Sequence, residues 1–241
     1  MHLLIDNSNT LTKFALDLGG ELSEWRGVIA TSDLSKTSIQ NTLHSQTFER
    51  ITLCSVVPDS TILIKTIFDQ PIHHISHQSK MPITIDYPNP SKIGADRLAN
   101  ASAAILDRQG PAIVIDFGTA VTFDVISKIG SYLGGVIAPG TASLRDYLHQ
   151  KTALLPAIQL EEPNSIIGRS TEEAMQVGAV IGYRGLIREI LSELRRELGG
   201  TPTILATGGD AELIGKGISD IDIIDQDLTM KGIQVIGQAN H

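Results

Sequence analysis

The sequence predicts a mixed α/β fold built from two halves of similar design. Apolar runs of strand length alternate with helical patterns along the chain. One motif also occurs twice: an apolar strand ends in an aspartate and a turn of small residues follows, first in "LLIDNSNTLTKFAL" and again in "IVIDFGTAVTFDVI". When the segments are aligned on Asp6 and Asp116, Thr12 stands opposite Thr122. The repeat predicts two halves that face one ligand.

The bulk composition is that of an ordinary globular protein. Of the 241 residues, 41% are hydrophobic and 19% are charged, and the formal net charge is -8. An acidic chain with only 4% aromatic residues lacks the basic face and the stacking side chains of nucleic-acid-binding proteins. The single cysteine, Cys54, excludes an internal disulfide, and no apolar run reaches the length of a membrane span. We therefore expect a cytoplasmic protein that binds neither nucleic acid nor membrane.

The first half begins with three strand-like segments, "HLLID", "KFALDL" and "EWRGVIA", joined by short turns. The polar stretch over residues 32–49 has the weak apolar stripe of a helix, with Asp33 as a candidate cap. "RITLCSVVP" is a continuous apolar run that ends at a proline, which is typical of a strand buried on both faces. "DSTILIKTIFDQ" then predicts a short helix with one apolar side.

The join between the halves follows a helix. "MPITIDYPNPSKIGADRLANASAAILDRQG" begins as a proline-rich loop and continues as a helix that Gly110 ends. Because the strand pattern restarts at "AIVIDF", we place the domain boundary at residues 108–111, with predicted domains over residues 1–110 and 111–241. The last helix is expected to pack back on the first domain.

The second half continues with hairpin-like strands through "VTFDVISKIGSYLGGVIAPG". Two helices follow, the second a long one within residues 171–198, and "TILATGG" predicts a further strand. The amphipathic stretch "IREILSELRREL" is typical of a solvated helix face and would also suit a dimer contact.

The repeated aspartate motif suits phosphate chemistry. A strand that ends in aspartate places a carboxylate at the edge of a sheet, and the N–H groups of the small-residue turn beyond it form an anion site. Phosphate binds beside a carboxylate only when Mg²⁺, or water held by it, lies between them. One such aspartate alone would more simply cap its own turn. Two matched segments favour the phosphate site.

Other segments carry weaker signals. "IGADR" places Asp96 in the first turn of a helix, where the helix dipole favours an acid, and Arg97 would pair with it or offer a planar fork to a substrate carboxylate. The glycines of "YLGGVIAPG" and "ATGGD" form tight bends or let a ligand approach the backbone. The histidines of "IHHISH" lack metal-site spacing and are interpreted as structural or surface residues. The chain contains neither a P-loop nor a dinucleotide-binding fingerprint.

Together these motifs resemble those of the type III pantothenate kinases. "DNSNTLTK" is similar to the first phosphate motif, D-x-G-N-T-x-x-K, of the superfamily that includes sugar kinases, Hsp70 and actin. "DFGTAVTFD" resembles its second phosphate motif and "TGG" its adenosine motif, while "YPNPSKIGADR", "YLGGVIAPG" and "GRSTEEAMQVGAVIGY" narrow the resemblance to the pantothenate kinases. The resemblance runs from Leu3 to beyond Gly209. It implies two RNase H-like domains of the actin/hexokinase/Hsp70 type, with mixed sheets flanked by helices.

The resemblance also implies an activity and a set of site residues. The reaction would be the ATP-dependent phosphorylation of pantothenate, the first step towards coenzyme A, with Asp96 as the general base. The protein would be a homodimer. The implied ATP-binding residues are Asp6, Asn7, Ser8, Asn9, Thr10, Leu11, Thr12, Lys13 and Thr119. The implied pantothenate-binding residues are Tyr87, Gly94, Ala95, Asp96, Arg97 and, across the dimer interface, Thr171. The implied cations are Mg²⁺ near Asp6, held through water, and K⁺ or NH₄⁺ at Asp116.

Two residues depart from the family pattern. Ser8 stands at a family glycine, and if that position requires a positive φ, Ser8 costs about 1 kcal/mol and narrows the phosphate loop. Val121 replaces a family threonine.

Two other functions of the same scaffold are alternatives. One is a binding or regulatory homologue resembling the Bvg accessory factor, and the other is a phosphatase or polyphosphate hydrolase. The retention of Lys13, Asp96, Arg97, Asp116 and Thr119 favours the kinase over the first. The second needs a catalytic glutamate after the second phosphate motif, and "DFGTAVTFDVISKIGSY" contains none.

Overall fold

The computed structural model describes residues 1–106 and 110–241 and confirms the mixed α/β class. No helix in this described part of the chain combines the length and the apolar character that crossing a bilayer requires. The strands are β1 (His2–Asn7), β2 (Leu11–Asp17), β3 (Leu22–Ala30), β4 (Arg50–Ser55), β5 (Ile72–His74), β6 (Thr84–Ile85), β7 (Ala112–Phe117), β8 (Ala120–Ile126), β9 (Ser131–Pro139), β10 (Thr203–Thr207) and β11 (Ile223–Ile224). The helices are α1 (Lys36–Leu43), α2 (Pro58–Ile67), α3 (Ala95–Ala104), α4 (Thr141–Lys151), α5 (Thr171–Val177), α6 (Tyr183–Leu198) and α7 (Leu228–Asn240).

The chain folds into two compact units. The first contains residues 1–106, 130–133 and 227–241, and the second contains residues 110–129 and 134–226. The predicted boundary at residues 108–111 falls partly on residues 107–109, which lie outside the described residues, and it stays a prediction.

The sheet of the first unit has the strand order β3-β2-β1-β4-β5. Strand β1 is antiparallel to β2 and parallel to β4, and all six of its residues are buried. The four central residues of β4 are buried as well, which confirms the prediction of a strand covered on both faces. One face packs with α1 and α2 in an apolar cluster that includes Leu3, Ile5 and Phe14, and α3 and α7 pack on the opposite face.

Helix α1 begins two residues later than the sequence predicted. Its cap is Ser35, whose hydroxyl accepts a hydrogen bond from the Ser38 N–H at 3.1 Å. The Ser38 hydroxyl is in turn 2.9 Å from the Ser35 N–H, so the two serines form a capping box. Asp33, the predicted cap, instead ends the short 3₁₀ helix Thr31–Asp33.

Helix α7 packs directly on α3. A Cβ at Gly232 would lie 1.9 Å from the carbonyl oxygen of Ala99, so the two helix backbones are in contact there. From the same helix, Gln234 and Gln238 donate hydrogen bonds to the two carboxylate oxygens of Asp17, at 2.8 and 3.0 Å. Helix α7 is therefore held in place by backbone packing on α3 and by hydrogen bonds to Asp17 at the end of β2.

A buried histidine lies on the sheet face that α7 covers. The Nε2 of His2 is 2.7 Å from the Thr52 hydroxyl, and its ring packs edge-to-face on His241 with ring centroids 4.8 Å apart. Burial, reinforced by the charges of His241 and Arg50 and opposed by Asp17, lowers the pKa of His2 to about 4. The neutral imidazole is therefore the native form at neutral pH.

Acid is expected to destabilise the protein through His2. The pKa of His2 is 6.5 in the unfolded chain and about 4 in the folded one. The stability that neutral His2 contributes is therefore full above pH 6.5 and is lost as the pH falls towards 4. This linkage predicts a loss of about 2 kcal/mol of unfolding free energy between about pH 7.5 and about pH 5. Urea titrations at both pH values measure it.

The matched variants for this test are His2→Gln and, as a control, His44→Gln at an exposed position. The His2→Gln protein should lose about 2 kcal/mol less than wild type on acidification, whereas the control should lose as much as wild type. Equal losses in all three proteins would contradict the assignment.

The sheet of the second unit has the strand order β11-β10-β7-β8-β9. Strand β7 is antiparallel to β8 and parallel to β10. Its apolar core joins the sheet side chains Ile113 and Phe123 to Ile187 and Leu191 of α6. Helix α6 thus buries the apolar side of the predicted amphipathic stretch and leaves the charged side exposed.

The long helix predicted within residues 171–198 is interrupted. Helix α5 ends at Val177, a π-helical turn covers Gly178–Gly182, and α6 continues from Tyr183. A π turn adds one residue to a helical turn and so rotates the apolar side of α6 relative to that of α5. The 3.6-residue periodicity of the sequence does not reveal such an insertion.

Candidate active site

Two predicted phosphate-site residues share one face of the first unit's sheet. Asp6 on β1 is opposite Lys13 on β2, and cross-strand partners project to the same face. This face of the sheet is the one that α3 and α7 cover. Asp6 is 8% exposed, whereas Lys13 is half-buried.

Helix α3 begins at the edge of the sheet where β1 ends. A Cβ at Gly94, the residue before α3, would lie 3.6 Å from the Cγ1 of Val56. Val56 follows β4 directly, and its N–H donates to the carbonyl of Asn7 at 3.2 Å. The first turn of α3, which contains Asp96, therefore lies at the same sheet edge as the end of the strand that carries Asp6.

The carboxylate of Asp96 has an environment suited to a proton acceptor. Its Oδ1 accepts a hydrogen bond from the Arg97 N–H at 2.8 Å. Burial raises the pKa of this carboxyl, and the N–H and guanidinium of Arg97 only partly offset the rise. A Cβ at Gly94 would lie 2.5 Å from the same Oδ1, so the glycine leaves room for the carboxylate. A carboxylate of raised pKa binds a proton more readily than an exposed aspartate.

An aromatic pair adjoins Arg97. The guanidinium carbon of Arg97 lies 5.8 Å from the ring centroid of Tyr132, which is a cation–π geometry. The ring of Tyr132 is 6.2 Å from that of Tyr87, a predicted pantothenate residue. Tyr132 is 1% exposed and was not among the predicted site residues. The sequence feature that could have indicated Tyr132 as a site residue is its position just before the glycines of "YLGG", in a chain that has only 4 tyrosines.

The first phosphate turn, residues 8–10, is closed by Ser8. Both its N–H and its hydroxyl lie within hydrogen-bond distance of the Leu11 carbonyl, at 3.1 and 2.9 Å. No non-glycine residue in the described part of the chain has a positive φ. The cost expected for a serine at a family glycine therefore does not arise, because this turn does not need the left-handed region. Asn9, Thr10 and Leu11 are exposed beyond it.

Two predicted ATP-binding residues lie beneath this turn. Asn7 and Thr12 are 1% and 0% exposed. The Asn7 amide nitrogen donates to the Thr12 hydroxyl at 2.7 Å, and its amide oxygen accepts from the Ser55 hydroxyl at 2.7 Å. Their side chains are therefore engaged inside the unit.

The second phosphate turn lies in the second unit, between β7 and β8. Gly118 and Thr119 are exposed there, after Asp116 and Phe117 at the end of β7. The Gly140 N–H donates to the carbonyl of Thr119 at 3.2 Å, and a Cβ at Gly140 would lie 2.4 Å from the carbonyl of Gly118. The end of "YLGGVIAPG" thus packs backbone to backbone on this turn.

The glycines of "ATGGD" adjoin Asp116 in the same unit. Gly208 has a φ of 95°, and a Cβ there would lie 2.6 Å from both the Asp116 Oδ1 and the Phe117 carbonyl oxygen. Asp210 follows, with its N–H 3.4 Å from the Phe117 carbonyl and its carboxylate bonded to the Thr141 hydroxyl. Asp210 was not predicted as a site residue, although the quoted motif contains it.

The oxygen atoms at this turn fit a hard cation. The Asp116 Oδ1 and the Phe117 carbonyl oxygen both border the space that a side chain at Gly208 would fill, and carboxylates and carbonyls are the ligands that such cations prefer. Within residues 1–106 and 110–241, no group of three or more His, Cys, Asp or Glu side chains gathers to hold a metal. A cation here would therefore depend on backbone oxygens and on the phosphates themselves.

The second unit also contains an open, largely apolar cavity of about 900 Å³. Thr171, the predicted pantothenate residue at the start of α5, lines it together with Arg145, Tyr147, Leu148, Arg169 and Met175. The Ser170 hydroxyl caps α5 by accepting from the Glu173 N–H at 3.1 Å, which places Thr171 in the first turn.

Comparison with known proteins identifies a family of similar chains. A family model described as type III pantothenate kinase matches residues 2–193. A protein of Akkermansia muciniphila named type III pantothenate kinase is 49% identical over 239 residues, which cover 99% of each chain.

Among solved structures, a Baf family transcriptional activator from Campylobacter jejuni aligns with a TM-score of 0.65 and 21% identity over 98% of this chain and 97% of that one. An inorganic polyphosphate/ATP-glucomannokinase from Arthrobacter aligns with a TM-score of 0.52 and 15% identity over 99% of each chain. At these identities the structures show the fold alone, and they support the predicted α/β fold with mixed sheets flanked by helices.

Proposed function

Because this chain belongs to the type III pantothenate kinase family, we propose that it catalyses the ATP-dependent phosphorylation of pantothenate to 4'-phosphopantothenate, the first step of coenzyme A biosynthesis. The observation that carries this proposal is the family match over residues 2–193. The geometry supports it, since the predicted general base, Asp96, has a raised pKa and lies beside Arg97 at a sheet edge.

In the first unit, Asp96 would accept the proton of the primary hydroxyl of pantothenate. The hydroxyl oxygen then forms a bond to the γ-phosphorus while the bond from that phosphorus to ADP breaks. Arg97 and Tyr87 would orient the substrate, with Gly94 and Ala95 lining its pocket by their backbone. The Arg97 guanidinium is held against Tyr132, which favours one orientation of its planar fork.

Each unit would bind phosphate through one turn. In the first unit, the N–H groups of the turn at residues 8–10 and the ammonium of Lys13 would contact ATP phosphates. In the second unit, Thr119 would do so. Asp6 would hold Mg²⁺ through water, and Asp116 would hold K⁺ or NH₄⁺. When bound, these cations would neutralise phosphate charge.

The assembly we propose is a homodimer formed through the second unit. Large apolar side chains are exposed near the cavity that Thr171 lines: Tyr147 is 60% exposed, Leu154 91% and Ile167 73%. A group of large exposed apolar side chains is typical of an interface, and a second copy would cover it. As a metabolic kinase the protein would act in the cytoplasm, and the proposal involves neither nucleic acid nor membrane.

ADP release should require pantothenate. A coupled assay with ATP, Mg²⁺ and K⁺ measures this directly. We expect the rate of ADP release with pantothenate to be at least roughly tenfold above the rate without it, because phosphoryl transfer to a positioned acceptor is faster than transfer to water. Equal release with and without pantothenate would favour a hydrolase. No release from the folded protein at millimolar ATP would favour the accessory-protein alternative.

A further inference from the structure

A row of polar side chains crosses the first unit's sheet behind the phosphate turn. Asn7 on β1 is in register with Thr12 on β2 and with Ser55 on β4. Thr31 follows β3 at one end of the row, and Thr61 of α2 stands at the other. The row lies on the face that α1 and α2 cover, opposite the face of Asp6.

The hydrogen bonds along this row run in one direction. The Thr61 hydroxyl is 2.7 Å from the Ser55 hydroxyl, which donates to the Asn7 amide oxygen at 2.7 Å. The Asn7 amide nitrogen donates to the Thr12 hydroxyl at 2.7 Å. The Thr31 hydroxyl donates to the Ser8 carbonyl at 2.8 Å, so its single proton is engaged. The 3.1 Å contact between the Thr12 and Thr31 hydroxyls therefore has Thr12 as donor.

The row ends on the peptide group that shapes the phosphate turn. Thr31 holds this turn twice, since its hydroxyl bonds the Ser8 carbonyl and its N–H bonds the Thr10 carbonyl at 2.9 Å. In a trans peptide the C=O and the following N–H point in opposite directions, and the described chain contains no cis peptide. With the Ser8 carbonyl held towards Thr31, the Asn9 N–H points away from Thr31.

We propose that Thr31 is a positioning residue for ATP. Its hydroxyl prevents the Ser8–Asn9 peptide from flipping, because a flip would break the Thr31 bond and leave the Ser8 carbonyl and the Thr31 hydroxyl proton without these partners. A flipped peptide would turn a carbonyl oxygen towards bound phosphate in place of an N–H donor, which repels the anion. This inference rests on the proposed function, in which the turn at residues 8–10 binds phosphate.

The test compares Thr31→Val, which removes the hydroxyl at nearly constant volume, with Thr31→Ser, which keeps it. The matched control is Thr66→Val, since the Thr66 hydroxyl donates to the helix carbonyl of Leu63, at 2.7 Å, on the exposed side of α2. Steady-state kinetics measure KM for ATP, KM for pantothenate and kcat, and calorimetric titration with MgATP measures binding.

We expect Thr31→Val to raise KM and Kd for ATP about tenfold, because a flipped peptide would lose the hydrogen bond from its N–H to a charged phosphate. The constants kcat and KM for pantothenate should change less than about twofold. Thr31→Ser should restore the ATP values, and Thr66→Val should match wild type. A purely structural role would instead lower kcat through the active fraction and leave KM for ATP unchanged.

Three results would overturn the inference. They are an unchanged ATP affinity in Thr31→Val, a failure of Thr31→Ser to restore it, and an equal effect in Thr66→Val. The proposed function fails separately if wild type shows no pantothenate-dependent ADP release. In that case the MgATP titrations still decide the role of Thr31, and a wild type that does not bind MgATP overturns both.

Discussion

Replacing Asp96 by asparagine should lower kcat about 10³-fold, since a positioned general base contributes on that order. Asparagine has the same shape, and its side-chain oxygen still accepts the Arg97 N–H, which now bonds the Asp96 Oδ1 at 2.8 Å. The start of α3 should therefore keep its geometry, with KM for ATP within about twofold of wild type. The coupled ADP assay measures both constants.

The control for Asp96→Asn is Asp59→Asn. Asp59 also occupies the first turn of a helix, α2, but at an exposed position, so this change tests the loss of a helix-dipole carboxylate alone. It should leave kcat at the wild-type value. A kcat of Asp96→Asn within about tenfold of wild type would exclude Asp96 as the general base.

The same assignment predicts the acid side of the pH profile. A base acts in its deprotonated form, so kcat/KM falls as the pH drops through the pKa of Asp96 in the folded protein. Because burial raises that pKa, the fall should begin at a higher pH than for an exposed aspartate.

Replacing Gly208 by alanine should destabilise the protein by about 3 kcal/mol or more and abolish most of its activity. A residue with a side chain is strained at a φ of 95°, which costs on the order of 1–3 kcal/mol. The added Cβ would also lie 2.6 Å from the Asp116 Oδ1 and the Phe117 carbonyl, so the second phosphate turn must shift. Urea unfolding and the ADP assay measure the two losses.

The adjoining Gly209 is the matched control. It has no positive φ, and a Cβ there would meet no atom within 4 Å among the described residues beyond its chain neighbours. Gly209→Ala should therefore change the unfolding free energy by less than about 0.5 kcal/mol. If Gly208→Ala changed the unfolding free energy as little as Gly209→Ala, the close packing of "ATGG" on Asp116 would be contradicted.

The elements that the sequence predicted well are those with long local patterns. The paired strands β1 and β2 and the buried strand β4 follow from alternation, turn residues and a continuous apolar run. The two-residue strands β6 and β11 are too short to carry such a pattern. They are strands only because each pairs with a neighbouring strand. The interruption at Gly178–Gly182 is also invisible to periodicity, since a single inserted residue leaves both flanking helical patterns intact.

The sequence by itself determined the mixed α/β class, the two aspartate turns and the family, because these depend on residue types at fixed spacing along the chain. Only the tertiary structure decided that Asn7 and Thr12 are engaged beneath the phosphate turn, and that Thr31 holds it. It also decided that burial raises the pKa of Asp96. The physical reason is that burial and hydrogen-bond partners come from residues distant in the chain, as Thr31 lies 23 positions from the Ser8 carbonyl that it bonds.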